Sequence, residues 1–209
     1  MTEKEKILLD EGKMLPIMEH FYTLQGEGAH TGKAAYFIRL GGCDVGCHWC
    51  DVKESWNPDL HPLLDVKEIA GIAASQCKTI VLTGGEPLMW NLDFLTSCLK
   101  EHGCQIHIET SGAYPMSGEL DWITLSPKKT GLPLEDIYKK AHELKVIVFN
   151  NHDLVFAQQQ AEKVNKDCKL YLQSEWSKRD EMYPKITDFI LEHPSWQASV
   201  QTHKYLNIP

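Results

Sequence analysis

Apolar positions along this chain follow two spacings that take turns. Short, nearly continuous apolar runs occur at "AAYFIRL" (34–40), "TIVLTGG" (79–85), "QIHIET" (105–110), "WITLSP" (122–127), "LKVIVF" (144–149) and "KLYLQ" (169–173). Their length and β-branched content predict buried strands. Helical spacing predicts helices at "DVKEIAGIAAS" (65–75), opened by a capping Asp, and at "NLDFLTSCLKEHG" (91–103), stopped by Gly. "DLVFAQQQAEKVN" (153–165) and "YPKITDFILEH" (183–193) are further helical stretches. Strands alternating with helices imply a parallel sheet with right-handed crossovers. A complete eight-unit barrel takes ~250 residues, and this chain has 209. The expected fold is therefore α/β, an incomplete, open TIM-like barrel of about six βα units with parallel strands. Chemistry in such sheets sits at the C-terminal ends of the strands. Residues 1–14 are expected as a frayed or helical extension, and residues 15–209 as a single core domain beginning at "LPIMEHFYTLQGEG".

Composition narrows the function. The formal net charge is -8, so the surface repels polyanions and nucleic acid is not an expected partner. No apolar run reaches membrane-spanning length, and the N-terminus "MTEKEKILLDEGK" is charged without a signal-peptide core. A cytoplasmic location follows as the expectation. Seven cysteines is an odd number for a disulfide framework, which points to metal ligation or burial.

Three of the seven fall together in "GGCDVGCHWCDVKESW" (41–56): Cys43, Cys47 and Cys50, spaced C-x3-C-x2-C after a strand. Thiolates take soft metals, and a glycine-containing loop lets three converge. The remaining four cysteines show no paired spacing that would complete a structural zinc site. Three thiolates suit an iron–sulfur cluster with one iron left open for chemistry, while zinc completed by His48 or a remote cysteine is the bland alternative.

The trio with Trp49 before its last cysteine, followed by "TGGEP" (83–87) at the end of the next strong strand, resembles the radical S-adenosylmethionine superfamily. "FYTLQGEG" (21–28), Arg39, "ETSG" (109–112), "LSPK" (125–128) and the closing "QTHKYLNIP" narrow the resemblance to 7-carboxy-7-deazaguanine synthases of the queuosine pathway. The resemblance implies a 4Fe-4S cluster on Cys43, Cys47 and Cys50, with S-adenosylmethionine chelated to the open iron. It implies a ring-contracting lyase. A 5′-deoxyadenosyl radical takes the C6 hydrogen of 6-carboxy-5,6,7,8-tetrahydropterin, the ring contracts, ammonia leaves and the hydrogen returns. Implied substrate contacts are Leu24, Gln25, Gly26, Glu27, Arg39, Thr83, His203 and the terminal Pro209. Gln25 and Glu27 suit the donor–acceptor edge of a pyrimidinone, and the Arg39 fork suits a carboxylate. Implied S-adenosylmethionine contacts are Gly85, Glu86, Glu109, Ser126, Pro127, Lys128, Gln173, Ser174, Glu175 and Trp176. The resemblance also implies a homodimer and an external electron donor such as flavodoxin.

One residue departs from the pattern. The family usually carries Thr two positions after the last cysteine, where its hydroxyl helps to hold Mg²⁺; this chain has Val52, which offers no lone pair. No Mg²⁺ ligand is therefore assigned. Two other readings fit parts of the pattern: a glycyl-radical-enzyme activase of the same superfamily, and a zinc-stabilised binding protein that is not an enzyme.

Overall fold

The computed structural model describes residues 2–209. Nine strands form its sheet: β1 (Met14–Leu24), β2 (Ala34–Leu40), β3 (Leu63–Asp65), β4 (Thr79–Gly84), β5 (Gln105–Thr110), β6 (Trp122–Leu125), β7 (Glu143–Val148), β8 (Lys169–Ser174) and β9 (Trp196–Ser199). Their order is β3-β1-β2-β4-β5-β6-β7-β8-β9. From β2 to β9 every neighbouring pair is parallel, while β1 runs antiparallel to both β2 and β3. The two ends of the sheet do not pair, so the barrel is open as expected. No helix of the described residues is long and apolar enough to cross a membrane.

The helices are α1 (Glu3–Asp10), α2 (Val66–Gln76), α3 (Asp93–Glu101), α4 (Glu135–Lys140), α5 (Asn151–Ala161), α6 (Arg179–Glu192) and α7 (Thr202–Leu206). Local chemistry fixes their starts. Asp65 accepts the amides of Lys67 and Glu68 at 2.8 and 3.2 Å to open α2. Asn150 and Asp153 close a reciprocal capping box at α5. The buried face of α2 is Val66, Ile69, Ala70, Ala73 and Ala74, which is helical spacing against the sheet. Truncating Ile69 to Ala there would cost about 2–5 kcal/mol.

Strand alternation separates two environments. On β2, Tyr36, Ile38 and Leu40 join the main core under the helices, while Ala35 and Phe37 form a small cluster with Val81 on the inner side. On β7, Leu144, Val146 and Val148 join the main core. That period of two sends Glu143, Lys145 and Ile147 to the opposite, inner side. The inner side thus carries the polar residues of otherwise apolar strands.

Several elements differ from the sequence expectation. Residues 1–14 hold α1, capped by a Thr2–Glu5 box, and the first residue of β1. Helix α6 begins at Arg179, four residues before the expected start, and keeps Pro184 inside it. A 3₁₀ turn over Trp176–Lys178, whose N-cap Glu175 accepts the Ser177 amide, nucleates the helix upstream of that proline. The β5-to-β6 link, residues 111–121, contains no helix. β3, α4, β9 and α7 lie in stretches too short for a periodic signal.

Candidate active site

The C-terminal ends of the parallel strands enclose a cavity of about 260 Å³. All of the sequence-expected site residues line it except Pro127, which is buried outside the cavity wall. Backbone contacts explain how one end is built. The cysteine loop is closed at its base by Gly42 N–H to the Ser55 carbonyl (2.6 Å) and Cys43 N–H to the Trp56 carbonyl (3.1 Å). The loop after β4 lies against it: Glu86 N–H donates to the Gly42 carbonyl at 2.8 Å. Only glycine permits this approach at position 85, because a Cβ there would overlap the Gly42 carbonyl and the Cys43 side chain. Tyr114, from the β5–β6 link, donates to Asp44 at 2.5 Å and props the loop from the other side.

Cys43, Cys47 and Cys50 are all free and partly buried on this loop. Burial pushes the Cys43 and Cys47 thiols above the usual value, so loading a metal there releases protons. Among the described residues no group of three or more His, Cys, Asp or Glu side chains is arranged to hold a single metal ion. Three thiolates on separate irons of a cluster need no such arrangement, and the donor set, the cradle at Gly85 and the open cavity beside it fit that group.

The other end of the cavity is a hydrogen-bonded set of charges. Lys145, fully buried on β7, places Nζ 2.5 Å from Glu27 Oε2 and 3.1 Å from Glu109 Oε2. Gln25 Nε2 donates to Glu109 Oε1 at 2.8 Å, while its carbonyl oxygen accepts the Glu27 amide at 3.0 Å. Gln201 Nε2 donates to Glu27 Oε1 at 2.9 Å. Burial works to raise the Glu27 carboxyl, but the Lys145 ammonium and the Gln201 amide outweigh it and hold Glu27 well below the usual carboxylate range. Burial likewise works to lower Lys145, and Glu109 and Glu27 outweigh it upward. On this account Gln25 braces two carboxylates rather than offering both its groups to a ligand. Arg39 donates Nε to Glu19 at 2.7 Å across the β1–β2 pair and lies in register with Thr83 on β4.

The C-terminal tail covers this end. Thr202 donates its amide and its hydroxyl to the Gly26 carbonyl at 2.9 and 3.0 Å. His203 packs where a Gly26 side chain would be, and burial lowers its imidazole below the usual value. Pro209 reaches the cavity wall.

Residues expected to meet S-adenosylmethionine fall into two kinds. Lys128 folds its ammonium onto Ser126, 2.6 Å from Oγ and 2.8 Å from the carbonyl, and lies 5.4 Å from the Trp49 ring. Trp176 is flanked by Arg179 and Lys204 and meets Tyr205 edge-on. Two carboxylates in the expected set are already occupied. Glu86 is 1% exposed and accepts from Leu88 N, Thr110 Oγ1, Ser111 N and Ser111 Oγ, which uses all four of its lone-pair directions. It ties the end of β4 to the end of β5. Glu175 is spent on the amide and hydroxyl of Ser177.

Sequence reasoning missed Lys145 and Gln201. Lys145 had one signal: it is the only charged residue in the apolar run "LKVIVF". Gln201 opens the closing motif "QTHKYLNIP", but a polar residue in a terminal segment reads as solvated, with no role of its own.

Comparisons with known proteins agree with this geometry. Residues 37–150 match the Radical SAM superfamily. The 7-carboxy-7-deazaguanine synthase of Flavobacterium psychrophilum is 60% identical over the full length of both chains. The synthase of the same name from Synechocystis is 50% identical over 92% of this chain and 93% of its own. The crystal structure of QueE from Escherichia coli superimposes with a TM-score of 0.81 at 29% identity, covering 95% of this chain and 99% of that one. These matches leave the zinc-protein and activase readings without support. The chain belongs to the radical SAM superfamily and, within it, to the 7-carboxy-7-deazaguanine synthases.

Proposed function

We propose that the cavity binds 6-carboxy-5,6,7,8-tetrahydropterin between the cysteine loop and the Glu27–Lys145–Glu109 set, and that the chain contracts its ring to 7-carboxy-7-deazaguanine with loss of ammonia. The observation that carries this reading is that one enclosure joins the three free cysteines to ionised acceptors and an arginine. As a radical SAM enzyme the chain uses a 4Fe-4S cluster and S-adenosylmethionine, which together supply the hydrogen-abstracting radical when bound.

The chain's own residues do the rest. Cys43, Cys47 and Cys50 hold the cluster. Gly85, Ser126, Lys128, Gln173, Ser174 and Trp176 line the wall that receives S-adenosylmethionine. Arg39, whose terminal nitrogens have no protein partner among the described residues, offers its fork to the substrate carboxylate. Glu27, held ionised, and Glu109 accept from ring N–H groups. His203, Thr83 and the backbone at Leu24 and Gly26 complete the contact surface. The tail from Gln201 to Pro209 covers the bound ring and keeps water from the reacting carbon.

Mg²⁺ does not fit the residues present. Val52 has no oxygen to give, and its neighbour Asp51 is already paired with Lys204 at 3.0 Å. No step is routed through that ion. A homodimer and an external donor such as flavodoxin rest on the family resemblance, and a cytoplasmic location is supported by seven unpaired cysteines.

The test is an anaerobic assay of reconstituted protein with reductant, S-adenosylmethionine and 6-carboxytetrahydropterin, read by mass spectrometry with and without Mg²⁺. Ring-contracted product with S-adenosylmethionine unconsumed supports the proposal. Steady cleavage to 5′-deoxyadenosine without that product overturns the substrate assignment. Equal rates with and without Mg²⁺ are expected for Val52, and Val52→Thr is expected to gain a response.

A further inference from the structure

We infer that Lys145 is the positioning residue of the ring-contraction site: its ammonium fixes Glu27 and Glu109 as a pair of acceptors for the N–H groups of the pyrimidinone ring. This rests on the pterin reading above and adds to it the residue that sets up recognition of that edge.

The geometry carries the inference. Two carboxylates from distant parts of the chain, one after β1 and one on β5, converge on one ammonium from β7. The Lys145 side chain is 4% exposed, whereas Glu27 and Glu109 are 16% and 22% exposed. The cation is thus sealed beneath the acids, and the acids face the cavity above it. Each acid spends one oxygen on Lys145 and receives an amide donor on the other, Gln201 at Glu27 and Gln25 at Glu109. Both retain lone pairs for a ligand, since an ionised carboxylate can accept about four hydrogen bonds.

Charge balance gives the pair its selectivity. Two partly buried acids share one ammonium, so acceptor capacity exceeds the donors supplied and favours a ligand presenting several N–H donors. An analogue lacking those donors leaves the acids unpaired and is rejected. Removing the ammonium leaves two facing carboxylates without their shared cation, and like charge then favours protonation of the pair. A protonated acid no longer accepts fully. The titratable groups facing this pair are Glu143 from β7 itself, Lys128 beyond β6, His203 and Lys204 of the tail, Asp51 of the cysteine loop and Tyr183 of α6.

The experiment uses the cluster-loaded enzyme and compares Lys145→Met, Glu109→Gln and the double variant for KM, kcat and their pH dependence. Lys145→Met is expected to raise KM for the pterin about ten-fold or more while kcat changes far less. Its kcat/KM is expected to fall at a higher pH on the acid side than that of the parent. Combining it with Glu109→Gln removes the facing pair of charges and is expected to abolish that shift. A Lys145→Met enzyme with the parent's KM and pH profile overturns the inference. So does a lowered melting temperature with no change in the profile, which is what a purely structural lysine gives. If Lys145→Met does not fold, the double variant, which keeps Glu27 but has no facing pair, decides: a parental KM in it overturns the inference. Failure of the parent itself to bind the pterin, with S-adenosylmethionine still cleaved, counts against the substrate reading instead.

Discussion

Lys204 Nζ lies 3.0 Å from Asp51 Oδ2, so the last helix is joined to the residue that follows Cys50. Gln201, one turn earlier, holds Glu27. The tail therefore spans both ends of the site, from cysteine loop to carboxylate pair. The ion pair is partly open, with Lys204 22% and Asp51 57% exposed, so its share of global stability is below about 1 kcal/mol. Its effect is local. Lys204→Met is expected to leave the melting temperature nearly unchanged, to raise pterin KM about five-fold, and to speed amide exchange across residues 202–208. Unchanged exchange there would show that the contacts to Gly26 and Glu27 hold the tail without the ion pair.

Gly85 sets the distance between the β4 loop and the cysteines. An added methyl would meet the Gly42 carbonyl, which is backbone held by its own hydrogen bond to Glu86. The cysteine loop must then move. Gly85→Ala is expected to keep the far-ultraviolet circular dichroism of the parent but to lower iron bound per chain after reconstitution. The overpacking also destabilises by about 1–3 kcal/mol. Full iron loading in the variant would mean that the loop tolerates the shift.

Most strands of the parallel sheet were legible because each is a nearly continuous apolar run, and the cysteine loop because its spacing points to thiolate ligation of a metal. What the sequence hid was orientation. Glu86 reads as a ligand beside "TGG", yet its carboxylate is fully used by Thr110, Ser111 and Leu88 inside the protein. Lys145 reads as an interruption in a core strand, yet it faces the inner side, where only the curvature of the sheet brings Glu27 and Glu109 to it. Pro127 sits between Ser126 and Lys128, both of which line the cavity, yet it is buried away from the wall just past the end of β6. A short strand such as β9 has no period to read; its register against β8 is a tertiary outcome.

Arg39 combines a structural and a binding task. Its Nε is committed to Glu19, which aims the planar fork, and the fork's remaining nitrogens are available to a carboxylate. Lysine could keep the charge but not the paired geometry. Arg39→Lys is expected to raise pterin KM about ten-fold, with the affinity for S-adenosylmethionine unchanged by calorimetry. Glu19→Gln, which releases the fork without removing it, is expected to give a smaller rise of the same kind. Equal KM in Arg39→Lys and the parent would remove Arg39 from substrate binding.

His107 gives the fold an acid sensitivity separate from the active site. Its ring lies 4.5 Å from that of His30 and 6.2 Å from Trp122, outside the wall of the large cavity. Burial lowers its imidazole to about 4, with the neighbouring His30 adding to the effect and Asp121 opposing it. An unfolded chain takes up this proton near pH 6.5, whereas the folded chain resists it until about pH 4. Between those values unfolding binds a proton, so stability is fully present above the upper value and falls as the pH drops toward the lower one. Burial lowers His30 as well, so it contributes with the same sign. His107→Phe keeps an aromatic ring against Trp122 and removes the titration. The variant is expected to lose less melting temperature than the parent between pH 7 and pH 5, with pterin turnover at pH 7 unchanged. An identical pH dependence of melting in the two proteins would place the acid sensitivity elsewhere, with His30 next to be replaced.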